Sequence, residues 1–445
     1  MSRVVIVGGG IAGLLAAVRL RERDHEVTLL EAKPQLGGMI SPVTVGDALV
    51  DAGAEAYAVR GGTVRTLCDE LGLAVSPPHG TSQLWWRHGV YPMATGVLGI
   101  PSSLDDPAFG ALSADEYRVV TSEPQLDRNV GADAATIAEL VRSRLGEAVV
   151  AKLVAPVTRG VYALSPEQMP LIEFAPQLLK KLADTGSLIA AVAQLRGPGS
   201  AAVEQPVGGM FQLIEALRER LLTAGGVLHT DTPVSRLEHS EAGFTVYATS
   251  GIAFDADHLV LATPARVATQ LLATLGVELT PPPVRTIRSA ILTTSKPEFA
   301  AHPIGSGAVV AEPDGVGAKA ITHYSAKWSW VPEHVFRMTY PPQARPTLEG
   351  AVGDLARLTG VPVTAADITG FVSLAWDSVP TRISPAERTT IRDRASAAGV
   401  SLVGAWLDGN GIAPAIAGVA QLLERDWVNS VHTAAGNVTR TGRDS

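Results

Sequence analysis

Cysteine is nearly absent: Cys68 stands alone among 445 residues. No intrachain disulfide can form, and neither a CxxC pair nor a thiolate zinc site can be built. Blocks of five or more like charges are also missing. Acidic residues outnumber basic ones, 44 to 36, and the net charge is −8. That balance does not suit a nucleic-acid partner. No run of 18 or more apolar residues is free of charges, so no transmembrane segment is expected. The apolar N-terminus lacks the basic region of a signal peptide, and the expected location is a reducing cytoplasm. The ten histidines show no HExxH-type spacing, and no Ser/His/Asp or Cys/His set suggests a nucleophile. Metal binding and covalent catalysis are therefore not expected. Cys68, within "TLCDELGL", reads as a buried helix residue.

What is present suits a chain with ample core: 46% of residues are apolar and 18% charged. The length calls for two or three domains. "RVVIV" (3–7) is a β-branched run and reads as a buried strand. Gly8, Gly10 and Gly13 turn the chain into a helix reaching about Arg23, and a second strand, 27–30, ends at Glu31. In such a βαβ unit the first glycine permits the turn and the second lets backbone approach a pyrophosphate. The third lets helix pack on strand. Ile11 and Ala12 open the helix, whose free N–H groups and dipole suit phosphates. Glu31, 23 residues after Gly8, is placed to accept hydrogen bonds from ribose hydroxyls, with Ala32 beside it.

The expected fold is α/β: a Rossmann-like dinucleotide-binding domain, a mixed-sheet substrate domain and a helical insertion. The first domain takes residues 1–80, 201–270 and 376–430, and the second takes 81–104 and 271–375. Residues 105–200 have helical periodicity and few strand signals. The polar end, 431–445, reads as a flexible tail. A helix is expected over 209–224, strands near 227–261, and a mostly antiparallel sheet over 285–375. "VSLVGAW" returns to the buried-strand style, and 414–429 reads as the closing helix. Between them "GAWLDGNGIAPAIAGVAQ" (404–421) forms a second glycine turn. Backbone so bare usually admits something close.

"EAKPQLGGMISPV" runs on from the ribose-binding acid into Gly37 and Gly38. This resembles the extended fingerprint of the FAD-dependent amine oxidase-like superfamily, in which the segment wraps the FAD pyrophosphate and reaches the flavin. Met39 stands where that superfamily usually has Arg or Lys. "TPVSRLEH" resembles the strand whose backbone, near Val234, clasps the adenine. "LVLATPARV" resembles the strand carrying Thr263 and Pro264 back to the sheet. The resemblance also implies that the C-terminal turn, with Trp406, Gly411 and Ile412, closes over the flavin end of the same FAD. Its helix dipole would help hold negative charge on the reduced flavin.

More narrowly, the chain is similar to the protoporphyrinogen/coproporphyrinogen oxidases, especially the soluble type of Gram-positive bacteria. "SQLWWRHGVYPMATGVLGIPSSL" (82–104), "VRSRLGEAVVAKLVAPVTRGVYALSPEQMPL" (141–171), "VGGMFQLIEALRERL" (207–221) and "AKWSWVPEHVFRMTYPP" (326–342) carry the likeness in order. It stops at "LAWDSVPTRISPAERTTIRD" (374–393). The family usually has an Arg-Trp-Pro…Leu-Pro-Gln-Tyr…Gly-His stretch there, and only Trp376 and Pro380 remain.

The resemblance implies a porphyrinogen, most directly coproporphyrinogen III, oxidised to a porphyrin in heme biosynthesis. Electrons would pass through FAD to O2, giving H2O2. The protein need only present a C–H bond to flavin N5 at about 3–3.5 Å and exclude water. Lys327, Arg87 and Arg337 are the candidate cations for substrate propionates, and Trp328, Trp330, Trp85 and Tyr324 the candidate flat walls. Tyr162 reads equally as a turn or a pocket residue. The resemblance includes membrane-associated relatives, so the helical insertion has a peripheral-contact reading beside that of plain domain packing. Two other functions stand against the porphyrinogen reading. One is a paralogous amine oxidase or desaturase of a secondary metabolite, and the other a silent FAD-binding scaffold.

Overall fold

The computed structural model describes residues 1–86, 89–161, 164–196, 203–312, 314–332, 334–380, 383–409 and 411–427. Arg87, Tyr162 and the tail 431–445, all named above, lie outside these.

A five-stranded sheet organises the first body. Its order is Val227–His229, Glu26–Leu30, Arg3–Val7, His258–Leu261, Val400–Leu402, and every neighbouring pair is parallel. The apolar runs follow from burial on both faces, as parallel sheets require. Val4, Ile6, Val27 and Leu29 share one cluster with the helices Ile11–Arg21, Phe211–Thr223 and Ile412–Trp427. Val5, Val7, Leu30, Leu259 and Leu402 face the other way, onto Trp406 and the helices Ala265–Ala273 and Pro385–Ala397. Each fully buried Leu or Ile there contributes about 2 kcal/mol. Cys68 is buried on the helix Thr63–Glu70, as its context suggests, and burial pushes its thiol up to about 11.

The second body is a seven-stranded mixed sheet. Its order is Ile368–Pro380, Val284–Thr294, His334–Tyr340, Ala320–His323, Gly307–Val310, Ser82–Trp86, Gly89–Pro92. All pairs are antiparallel except Gly307–Val310 with Ser82–Trp86. The expectation of sheet over 285–375 needs one correction. Leu348–Thr359 is a helix, capped by the Thr347 side chain and ended by Gly360 at φ 71°. Its Asp354 accepts from the N–H groups of Gly317 and Ala318, at 2.9 and 3.1 Å, and so fixes it on the sheet.

The segment between about 105 and 196 is mainly helical in its described part, and its core of Leu, Val and Ile reaches Leu84 and Val309 of the sheet. At its centre Glu123 and Arg144 pair at 2.6 Å with both side chains fully buried. Glu123 also accepts from Ser187 Oγ and the Leu188 N–H, while Arg144 donates to the Asp127 and Gly186 carbonyls. A buried ion pair needs such satisfaction of its remaining atoms.

Candidate cofactor and substrate site

Because all five strands of the first sheet run the same way, the loops after them leave one edge. Those loops are 8–10, 31–38, 230–233, 262–264 and 403–409, the last followed by Gly411. Open parallel sheets place ligands off this carboxyl edge. All the sequence-chosen cofactor residues fall on these loops or on the first residues of the helices and strands they lead into.

The first turn is built tightly. Gly8 has φ 112°, and a Cβ there would lie 2.7 Å from the Ala262 carbonyl oxygen. A Cβ on Gly13 would lie 1.9 Å from the Gly8 oxygen, so the helix rests directly on the turn. At Gly10 a Cβ would meet nothing within 4 Å. Gly8 and Gly13 are thus glycines for packing, and Gly10 borders open space. Gly10 is also the N-cap of the helix Ile11–Arg21, which has neither a side-chain cap nor an acid in its first turn. The helices starting after Ser113, Thr136 and Ser384 have capping boxes with Glu. The N–H groups at Ile11 and Ala12 are left for an incoming acceptor.

Glu31 accepts from the Gly9 N–H at 2.7 Å and the Lys33 N–H at 2.9 Å, which ties the second strand end to the turn. Gly37 bridges Gly10, its N–H donating to the Gly9 carbonyl at 2.9 Å. Gly38, at φ 56°, would place a Cβ 3.8 Å from Gly10 Cα. The second glycine pair therefore lies along the first turn. The Thr232 N–H donates to the Glu31 carbonyl at 2.8 Å, bringing Val234 to the same end, while Ala32 is exposed. Thr263 is 8% exposed and its Oγ1 has no partner, close beside Gly8. Trp406 Nε1 is likewise buried without a partner. An orphaned hydroxyl, an uncapped helix and a turn that opens onto free space at Gly10 fit a bound nucleotide cofactor.

The C-terminal turn has Gly404, Gly409 and Gly411 at φ 132°, 115° and 118°. It feeds the helix Ile412–Trp427, again with no acid in its first turn. Ile412 and Ala415 join Ala12 and Leu15 in one core cluster. The helices that the two glycine turns lead into thus pack on each other.

Met39 starts the passage from this edge to the substrate sheet. Its carbonyl accepts from the Ala54 N–H at 2.9 Å, and a Cβ on Gly53 would lie 2.1 Å from that oxygen. The hairpin Pro42–Val45 and Ala48–Asp51 lies between, packed on Ile291, Tyr324, Trp328 and Val335. The seam is polar. Lys327 pairs with Glu55, and Arg337 donates to the Gly53 carbonyl. The Tyr324 hydroxyl donates to the Asp51 carbonyl at 3.2 Å. Burial alone would raise the Glu55 carboxyl, but Lys327 and Arg337 hold it below its ordinary value. Asp51 accepts from the Met210 and Phe211 N–H groups, at 3.0 and 3.1 Å, and from the Gln205 side chain. Burial nonetheless pushes it up to about 7.

The sequence-chosen substrate residues are thus placed differently from a simple rim. Lys327 is no free surface cation, because Glu55 engages it. Tyr324 and Trp328 are 1% and 0% exposed and belong to the seam's core, with Trp328 stacked on Trp330 at 5.3 Å. Arg337 is partly buried, and its Nε has no partner. Sequence reasoning missed Asp51 and Glu55. The acidic pattern in "DAGAE" signals them only after its contact with the substrate sheet is known.

A parallel sheet with two glycine turns at its carboxyl edge, joined through a hairpin to a mixed sheet, fits the class of flavoprotein oxidoreductases. Residues 11–297 match the family described as flavin containing amine oxidoreductase, and the chain belongs to it. Among curated relatives, the coproporphyrinogen III oxidase of Mycobacterium leprae is 30% identical over 450 residues, covering 94% of this chain and 97% of the relative. The coproporphyrinogen III oxidase of Bacillus subtilis is 27% identical over 299 residues, covering 61% and 62%. A provisionally named protoporphyrinogen oxidase from Exiguobacterium sp. 255-15 superposes with a TM-score of 0.80 at 24% identity, covering 97% of this chain and 99% of that one. Putrescine oxidase gives 0.63 at 14% identity, covering 97% and 99%. These two structural likenesses show the fold alone. Among the described residues no helix is long and apolar enough to cross a membrane.

Proposed function

We propose that this chain is an FAD-dependent oxidase that converts a porphyrinogen, in the first place coproporphyrinogen III, to the porphyrin in heme biosynthesis. O2 is the acceptor and H2O2 the product. The observation that carries this reading is the near end-to-end match to a coproporphyrinogen III oxidase. This chain has both glycine turns that would hold the cofactor.

FAD, rather than a shorter flavin, is supported by the extent of the cradle. Glu31 and the Val234 segment stand ready for an adenosine, and the Ile11 and Ala12 N–H groups for the phosphates. When bound, the flavin supplies a two-electron acceptor that O2 restores. The chain's own part is binding, orientation and exclusion of water. The helix starting at Ile412 turns its N-terminal end toward the cradle, which favours negative charge there. Lys327 and Arg337 are the cations of the substrate sheet nearest the passage from Met39. A carboxylate-bearing substrate would compete with Glu55 for Lys327, beside Arg337, whose buried Nε has no partner. No side-chain nucleophile is required, since the chemistry is removal of hydrogen and electrons.

The test is growth of porphyrin fluorescence when purified, flavin-loaded protein meets coproporphyrinogen III in air. Protoporphyrinogen IX and an enzyme-free control run alongside. Enzyme-dependent growth with preference for one substrate supports the reading. Growth no faster than autoxidation refutes it and directs the search to amines and secondary metabolites.

A further inference from the structure

The family likeness fades over 374–393, and the second half of that stretch enters a helix, Pro385–Ala397, facing the C-terminal turn. Pro385–Ala397 starts with a full capping box, Ser384 with Glu387, and a proline at its first position. Ile391 and Ala395 anchor it against the sheet. Arg388 and Arg392, one helical turn apart, then project toward the same place. Arg392 pairs with Asp408, with the two side chains 16% and 3% exposed. Arg388 Nη1 donates to the Leu407 carbonyl at 3.4 Å.

Asp408 sits inside the glycine turn itself. Its other oxygen accepts from the Gly404 N–H at 2.7 Å, so the carboxylate spans the turn from Gly404 to Gly409. It also lies flat on the helix that follows. A Cβ at Gly418 would fall 2.1 Å from Asp408 Cγ and 2.2 Å from Oδ2. Glycine inside a helix is unfavourable by about 1 kcal/mol against alanine, and the carboxylate is what occupies the space here.

We infer that Arg392 and Asp408 are positioning residues for the flavin: through the Gly404 N–H and the glycine face at Gly418 they fix the turn that carries Gly411 and Ile412. The inference rests on the cofactor reading above. It gives part of the altered stretch a role in holding the cofactor turn. Neither side chain need touch the cofactor. Their effect is on how well the turn's backbone is held before FAD arrives, which is preorganisation.

The experiment titrates FAD into the apoprotein by fluorescence quenching and measures apoprotein melting in parallel. Arg392→Met should weaken FAD about tenfold or more, the scale of one charge-assisted hydrogen bond. Arg392→Lys should recover most of that affinity. Gly418→Ala, which displaces the carboxylate and leaves Arg392 intact, should weaken FAD comparably. Arg392→Met with Asp408→Asn should lose less than the sum of the single changes, because no uncompensated buried charge remains. Wild-type FAD affinity in both Arg392→Met and Gly418→Ala, with only the melting temperature lowered, overturns the inference: the pair would then be scaffolding. Wild-type protein that takes up no FAD overturns the cofactor reading instead.

Discussion

Gly10→Ala and Gly13→Ala alter two glycines of one turn, and the structure separates their consequences. At Gly13 the new methyl group would lie 1.9 Å from the Gly8 oxygen, well inside contact distance, with Ala262 Cβ at 3.1 Å beyond it. The helix Ile11–Arg21 must lift from the sheet, and overpacking of this kind costs about 1–3 kcal/mol or more. Apoprotein stability should fall, read as a drop in melting temperature of a few degrees. At Gly10 nothing stands within 4 Å of the new methyl group, and φ is an ordinary −75°. The only intrinsic loss is the preference of an N-cap for glycine over alanine, at most about 1 kcal/mol. The methyl group instead occupies the space where a phosphate would rest. The same 1–3 kcal/mol of overlap then appears in binding, as a roughly 5–150-fold loss of FAD affinity. Apoprotein melting and FAD titration on both variants give four numbers. Gly10→Ala that binds FAD as well as wild type would refute the placement of the phosphates at this turn. An unchanged melting temperature in Gly13→Ala would refute the packing argument.

Other perturbations test other parts. Asp51 carries a carboxyl raised to about 7 by burial, so the folded state binds a proton there that the unfolded chain, near its ordinary value of 3.8, has released. Its contribution is fully present below about pH 4 and is lost as pH rises through about 7. Urea unfolding of wild type and Asp51→Asn from pH 5 to 8 should show that decline in wild type alone, and parallel profiles would contradict it. Arg144→Met should destabilise the helical insertion by about 3 kcal/mol, because Glu123 is left buried and charged, and FAD affinity should hold. Denaturant unfolding with a parallel FAD titration reads both effects. Lys327→Met should raise KM for a porphyrinogen roughly tenfold with kcat retained, as loss of a uniform binding contact would. A fall in kcat alone would argue that Lys327 acts elsewhere than on substrate carboxylates.

The residues of the first turn were readable because their signal is local. A β-branched run, glycines at fixed offsets, a helix start and an acid at the next strand end all follow from neighbouring backbone geometry. The C-terminal turn was readable for the same reason, as were most strands of both sheets. The helix Leu348–Thr359 lies between two strands of the sheet, His334–Tyr340 and Ile368–Pro380, and its signal is confined to the residues at its ends, Thr347, Gly360 and Pro362.

What the sequence determined by itself was the two glycine turns and the class of fold, since these depend on short-range periodicity and on where only glycine fits. Tertiary structure alone decided which charges are spent on the protein itself. Lys327 meets Glu55, Arg392 meets Asp408, and Asp51 caps the start of the helix Phe211–Thr223 from far along the chain. Such pairings depend on which elements the sheets bring together, and no spacing along the chain records that. A lysine in an aromatic stretch looks the same in sequence whether it faces water, a substrate or a buried glutamate. Packing chose among them.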